Sequence, residues 1–237
     1  MSNLFITGST GIAAATARLW GGRVFVFGED EASCRELSPE YAVGDVRDEA
    51  AVSAAIARCG QIDAVFNVAG ISARKFGDGP LHECTAEGWD AAMDVNAKGT
   101  FLVCREVVKV WMAEGRRGSI LNTSSVLARR PEAGAFGTIG YAASKGAVEA
   151  MSLAAAAQYA AAGIRINVLA PGLVKTPMSA RAQSDEQIQK YIAGKQPLSG
   201  GMLSAEEVAR VAVFLLGEGS GPITGQVITV DGGWSVA

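Results

Sequence analysis

Along the chain, short unbroken apolar runs alternate with longer stretches in which apolar residues recur every three or four positions. The runs at residues 4–7, 24–27, 41–43, 64–67, 119–122, 165–169 and 226–230 are β-prone and too short for helices, which predicts strands. The second of them, 24–27, is an unbroken β-prone run and is expected to be buried on both faces, like a strand of a parallel sheet. Helical spacing fills residues 12–20, 49–58, 86–114 and 205–216, and an Ala-rich stretch opening at Tyr141 reads as one long helix. Such alternation predicts the α/β class: a single doubly wound parallel seven-stranded sheet of Rossmann type with helices on both faces. The segment after the second strand is short, so the helix there is expected to be reduced. Residues 178–200 are polar, Gln-rich and out of step with the alternation. No linker, composition break or repeat divides the chain, so residues 1–237 are expected to form one domain.

Composition narrows the classes. Hydrophobic residues make up 49% of the 237 and charged ones 19%, which suits a buried sheet and excludes a disordered chain. A net charge of -3 and a pI near 5.3 give no electrostatic case for nucleic acid or an anionic membrane. The basic doublets Arg116-Arg117 and Arg129-Arg130 read as solvated loops. Cys34, Cys59, Cys84 and Cys104 lie far apart without a CxxC, and His82 is the sole histidine and reads as a loop residue. No metal site is expected, and the cysteines read as reduced thiols. Met1-Ser2-Asn3-Leu4 lacks a basic segment before an apolar one, so no signal peptide is expected. The longest uncharged run, residues 150–164, is too short and too weakly apolar to span a bilayer. The cytoplasm is the expected compartment.

Two stretches carry chemistry. Tyr141 and Lys145 are four apart on a predicted helix and therefore share a face. A phenol of pKa about 10 is a poor acid or base near neutrality, and a nearby ammonium lowers that value by favouring the phenolate. Gly8-Ser9-Thr10-Gly11-Ile12-Ala13 lies where the first strand turns into the first helix, a place where glycines let backbone approach a pyrophosphate. Glu29 stands just past the second strand, where a carboxylate hydrogen-bonds the ribose 2′-hydroxyl of NAD and repels the 2′-phosphate of NADP. No Lys or Arg lies in the loop or directly after the second strand, which also favours NAD.

Eight stretches stand in a familiar order: Thr7-Gly8…Gly11-Ile12, Gly44-Asp45-Val46, Asn67-Val68-Ala69-Gly70, Val95-Asn96-Ala97-Lys98-Gly99, Asn122-Thr123-Ser124-Ser125, Tyr141…Lys145, Asn167…Pro171-Gly172 and Thr224-Gly225-Gln226…Asp231-Gly232-Gly233. Together they resemble the short-chain dehydrogenase/reductase family over nearly the whole chain. The resemblance implies Tyr141 as general acid/base, with Lys145 binding the nicotinamide ribose and lowering the Tyr pKa. It implies Ser125 as the hydrogen-bond partner of the substrate oxygen and Asn96 as holder of a relay water. Gly8, Thr10, Gly11 and Ile12 would cradle the pyrophosphate, Asp45 and Val46 would border the adenine, and Asn67, Ala69 and Gly70 would line its ribose. Pro171, Gly172, Val174 and Thr176 would meet the nicotinamide end.

The chain departs from that pattern in places. Two residues rather than three separate Gly8 from Gly11, and Ala13 stands where the family's last loop glycine falls. Residues 129–140 lengthen the stretch between Ser125 and Tyr141, with Ser124 as the fallback for the serine. Enoyl reductases of this fold usually space Tyr and Lys further apart, and sugar epimerases carry a longer C-terminal part. The expectation is thus an NAD-dependent oxidoreductase interconverting a secondary alcohol and a carbonyl on a small molecule. The competing expectation is a non-catalytic dinucleotide-binding regulator or scaffold, favoured by the shortened loop. Residues 178–200 are expected to form a lid, with Phe76, Leu127, Phe136 and Met178 as apolar contacts. By resemblance, residues 89–114 and 143–162 supply subunit contacts in a tetramer or dimer.

Overall fold

The computed structural model describes residues 2–237. Seven parallel strands form one sheet in the order β3-β2-β1-β4-β5-β6-β7. They are β1 Leu4–Thr7, β2 Val24–Gly28, β3 Tyr41–Val43, β4 Ala64–Asn67, β5 Gly118–Thr123, β6 Ile164–Pro171 and β7 Val227–Val230. Successive side chains of a strand point to opposite faces, so each run feeds two cores. Phe5 joins Phe25, Phe27, Val65 and Ile120 on one face, while Leu4 and Ile6 join Val26, Phe66 and Leu121 on the other. That is why the central runs are apolar on both faces, while the edge strands β3 and β7 are only partly buried.

One face is covered by α3 (Glu49–Cys59), α5 (Gly99–Glu114) and α6 (Ile139–Tyr159), whose Val52, Ile56, Val107, Trp111 and Ala156 enter the first core. The other is covered by α1 (Gly11–Leu19), α2 (Glu31–Leu37) and α9 (Ala205–Leu216), through Ile12, Ala13, Cys34, Val208 and Leu215. As expected, α2 is short, spanning 7 residues, and Asp30 caps it by accepting from Ser33 N–H. Helix α9 starts on a capping box, with Ser204 and Glu207 each accepting from the other's backbone N–H.

The stretch read as one helix over 86–114 is α4 (Ala86–Ala92), a π-helical segment (Met93–Lys98) and α5 without a break. A π segment widens the turn and re-aims the side chains within it, and Asn96 sits there fully buried. The region 178–200 folds into two helices, α7 (Ala180–Gln183) and α8 (Glu186–Lys195).

The basic doublets lie in loops, as expected, with Arg117, Arg129 and Arg130 exposed, but the guanidinium groups of Arg116 and Arg129 are engaged. Arg116 donates to Ile62 O and Asp63 Oδ1, and Arg129 pairs with the buried Glu149 of α6 at 2.5 Å. Burial of a carboxylate favours a cationic partner, which a sequence pattern does not reveal. No helix among the described residues is long and apolar enough to cross a membrane.

Candidate active site

The motif residues collect at the carboxyl ends of the strands, around the point where the sheet order turns from β1 to β4. Open α/β sheets place their ligands at such a switch. The loop between β1 and α1 holds Gly8 at φ 86° and Gly11 at φ 54°, the left-handed region that favours glycine. A Cβ on Gly11 would lie 2.8 Å from the Thr176 methyl, so this glycine also lets the phosphate loop touch the loop after β6. Thr10 is the N-cap of α1 but makes no side-chain cap bond, and no acid lies in the first turn. The leading N–H groups and the positive end of the helix are therefore available to an anion. Two intervening residues thus still leave a helix N-terminus open to an anion, and the residues fit a dinucleotide. A cleft of about 420 Å³ adjoins it, lined by Ser9, Thr10, Ser33, Lys175 and Ser204.

At the adenine end, Glu29 is exposed just after β2. Asp45 accepts from Arg47 Nε at 2.8 Å and Nη2 at 2.6 Å, and this pairing is the first cause of its lowered pKa. Glu29 acts on both partners of the pair. Arg47 thus brings a cation to a corner where the sequence reading expected only carboxylates. Val46 is buried beneath. Thr7 Oγ1 accepts from the N–H groups of Val68 and Ala69 at 3.0 and 3.1 Å, which pins the loop after β4 to β1. Asn67 was expected at the ribose, but its side chain turns inward and donates to Asn122 Oδ1 at 2.8 Å. It links β4 to β5 and leaves only backbone to face a cofactor.

Tyr141 and Lys145 both stand on α6. Lys145 is buried, and its Nζ donates to Thr123 O at 2.8 Å and lies 5.7 Å from the Tyr141 ring centroid. Burial pulls its pKa down from 10.5 to about 8. Burial likewise pushes the Tyr141 phenol up, with a hydrogen bond to Ser125 working against it. The lowered Tyr pKa expected from the spacing is therefore not what this arrangement produces. Desolvation outweighs the neighbouring groups, because both members of the pair leave water together.

Ser124 and Ser125 part company. Ser124 is buried and donates to Glu149 Oε1 at 2.8 Å, away from Tyr141. Ser125 accepts from Leu127 N–H at 3.2 Å and reaches the phenol. Asn96 Oδ1 accepts from Ile71 N–H at 2.8 Å, and its Nδ2 donates to Ile71 O and Ser144 Oγ, both at 3.0 Å. Gly70 lies between Asn96 and Lys145: a Cβ there would stand 2.9 Å from Asn96 Oδ1 and 3.4 Å from Lys145 Nζ. The end of β6 contributes Pro171, and the loop after it Gly172, Val174 and Thr176. It is held by Gln196, which accepts from Leu173 N–H and donates to Leu173 O.

Several residues the sequence reading did not single out also converge here. Asp78, 5% exposed, takes the N–H groups of Gly140 and Tyr141. Glu149 anchors both Ser124 and the start of the extra loop through Arg129. From that loop Glu132 accepts from Tyr191 and Lys195 of α8, and Ala135 O accepts from Arg74 and Arg181. Trp234 packs beneath, edge-on to Phe136 at 5.3 Å. Of the residues expected to contact substrate, Phe136 and Leu127 pack against this cluster, whereas Met178 is exposed.

A family model described as enoyl-(acyl carrier protein) reductase matches residues 7–235. The chain is 37% identical to momilactone A synthase of Oryza sativa subsp. japonica, covering 97% of this chain and 88% of the relative. It is 32% identical to cis-4-hydroxycyclohexanecarboxylate dehydrogenase of Sinomonas cyclohexanicum, covering 97% and 95%. Among solved structures, levodione reductase superposes with a TM-score of 0.87 at 32% identity, covering 100% of this chain and 98% of that one. The chain belongs to the short-chain dehydrogenase/reductase family. It is an enzyme of an oxidoreductase family that binds a nicotinamide dinucleotide and acts on small molecules.

Proposed function

We propose that the protein is an NAD-dependent oxidoreductase that interconverts a secondary alcohol and a carbonyl on a small apolar substrate. The observation that carries this reading is the convergence of Tyr141, Ser125 and Lys145 at the strand ends, beside a phosphate cradle on α1. Bound nicotinamide supplies or accepts the hydride. Ser125 and Tyr141 hold the substrate oxygen between their hydroxyls. In the reducing direction the phenol gives its proton to the oxygen as hydride reaches the carbon; in the oxidising direction the phenolate takes it back. Lys145, near its own midpoint at about pH 8, replenishes the proton and binds the nicotinamide ribose. Asn96 keeps the loop at Ile71 and Gly70 against Lys145 and orders the relay water.

Glu29 and Asp45 set two carboxylates against the single guanidinium of Arg47, leaving the ribose corner net negative. That excess disfavours a 2′-phosphate, so NAD is preferred to NADP. Residues 178–200 act as the lid, with Ile188 and Ile192 closing on Val126 next to Ser125. The names of the two relatives and the solved structure make ring alcohols and ring ketones the first substrates to try. A groove of about 560 Å³ between α5 and α6, with Phe101 and Met112 exposed along it, is the face for a second copy in a dimer or tetramer. The four cysteines are unpaired, as suits the reducing cytoplasm.

The test is a panel of alcohols and ketones with NAD and NADP in both directions. Turnover that prefers NAD supports the reading. Tight NADH binding without turnover on any member would favour the non-catalytic regulator, and faster use of NADPH would reduce Glu29 to a surface acid.

A further inference from the structure

Beside Ser125 the chain builds an apolar cluster from segments far apart in sequence: Val126 after β5, Phe136 of the extra loop, Ile188 and Ile192 of α8, Met202, and Trp234 beyond β7. Within it Trp234 is 2% exposed, and its indole N–H has no acceptor. Indole nitrogen is a donor only, and a buried one ordinarily finds a partner. Its neighbours are not short of hydrogen bonds. Gln196 is bonded to Leu173 and Gly201, and Lys195 to Glu132 and Ala237 O. None of them turns an acceptor toward the indole. The unpaired donor therefore stands in an apolar wall that borders the proposed catalytic serine and is roofed by the proposed lid.

We propose that Trp234 is a specificity-determining residue whose N–H takes a second oxygen of the substrate, carried on an apolar ring away from the reacting carbon. This rests on the alcohol–carbonyl reading of the same site. The other polar groups that reach the cluster are already paired, Gln189 Nε2 with Ala182 O and Met202 Sδ and the Tyr191 hydroxyl with Glu132, so the body of the substrate is apolar and its distal group an acceptor. The nearest cation, Lys195, lies 5.9 Å from the ring centroid and is already neutralised by Glu132 at 2.9 Å. A neutral hydroxyl or carbonyl oxygen therefore suits the site better than a carboxylate. The ring stacks against Trp234 and Phe136 once α8 swings aside, and the substrate oxygen ends the isolation of the N–H.

The experiment compares cyclohexanone with a cyclohexanone bearing a hydroxyl across the ring. Binding to the NADH-loaded protein is read by calorimetry, and turnover by NADH consumption. The wild type is expected to favour the hydroxylated ketone about tenfold in both, the usual worth of one hydrogen bond into an otherwise apolar site. Trp234→Phe is expected to lose that preference by weakening the hydroxylated ketone about tenfold more than cyclohexanone, and to melt somewhat lower, since the smaller ring leaves a cavity in the cluster. Trp234→His, which keeps an N–H, is expected to restore part of it. An equal affinity of the wild type for both ketones overturns the proposal without recourse to any variant, as does a Trp234→Phe protein that keeps the preference. Preferential binding of the hydroxylated ketone without turnover leaves Trp234 in its role and removes the oxidoreductase reading instead.

Discussion

The carboxylate of Asp78 closes the first turn of the helix that carries Tyr141: its Oδ2 accepts from the Tyr141 N–H at 2.8 Å, and its Oδ1 from Gly140 N–H at 2.9 Å. Thr138, the formal N-cap of α6, makes no side-chain cap bond, so the job passes to a residue 63 positions upstream of Tyr141. A cap of this kind contributes about 1–2 kcal/mol. Asp78→Ala is expected to lower the melting temperature by a few degrees and kcat by about tenfold. NADH affinity should stay within about twofold, because on α6 the cap meets only backbone N–H groups and Lys145 is held separately by Thr123 O. Asp78→Asn retains one acceptor oxygen and should fall between. Stopped titrations with NADH beside steady-state kinetics check the split.

The two serines separate chemistry from support. Ser125→Ala is expected to cut kcat by about a hundredfold or more with little change in stability. Ser124→Ala leaves Glu149 short of a partner inside the protein, so it should lose about 1–2 kcal/mol of stability and keep most of its activity. Urea unfolding and initial rates on the same two proteins decide the assignment. The reverse pattern would transfer the role to Ser124.

Lys145 makes folding stability depend on pH with a definite sign. Its pKa is about 8 in the folded protein against 10.5 ordinarily. Between those values the unfolded chain holds the extra proton, so stability rises with pH across the window, by up to about 1.4 kcal/mol per unit. Below about pH 8 the full burden of the buried ammonium is present. Tyr141, shifted upward, opposes this only above its ordinary value of 10.0. Denaturant midpoints from pH 8 to 10 should therefore climb for the wild type relative to Lys145→Met. Parallel curves would mean that Lys145 titrates normally.

Gly11→Ala tests the shortened phosphate loop. It forces a side chain into φ 54° and places the new methyl 2.8 Å from the Thr176 methyl. Strain of about 1 kcal/mol or more joins a displaced cradle, so NADH affinity should drop at least about tenfold while the sheet persists. Calorimetric titration with NADH, alongside circular dichroism, measures both.

All seven strands were legible in the sequence: the central ones because burial on both faces writes a continuous apolar run, and the half-buried edge strands β3 and β7 because they are short β-prone runs between helices and turns. The reduced α2 and the start of α9 were legible too, since chain length and caps are local. What escaped depends on partners distant in sequence. Nothing near Asn96 announces a π segment, and nothing near Asp78 says that it caps α6. Arg129 looked like a surface cation because Glu149, its buried partner, lies 20 positions away on another element. The same limit applies to the Tyr141 pKa: spacing shows that Lys145 is near, but only the packed site shows that burial acts harder on both. Asn67 failed in a similar way, since a strand-end Asn reads identically whether it faces a ligand or crosses to Asn122.

The most direct measurement is the rate at which Tyr141→Phe interconverts a ketone and alcohol that the wild type turns over, taken together with its affinity for NADH. Phenylalanine keeps the ring and removes only the hydroxyl that moves the proton. If Tyr141 is the acid/base, kcat falls by about a thousandfold or more while NADH binds within about twofold of the wild type. A variant that binds NADH and retains substantial turnover would contradict it.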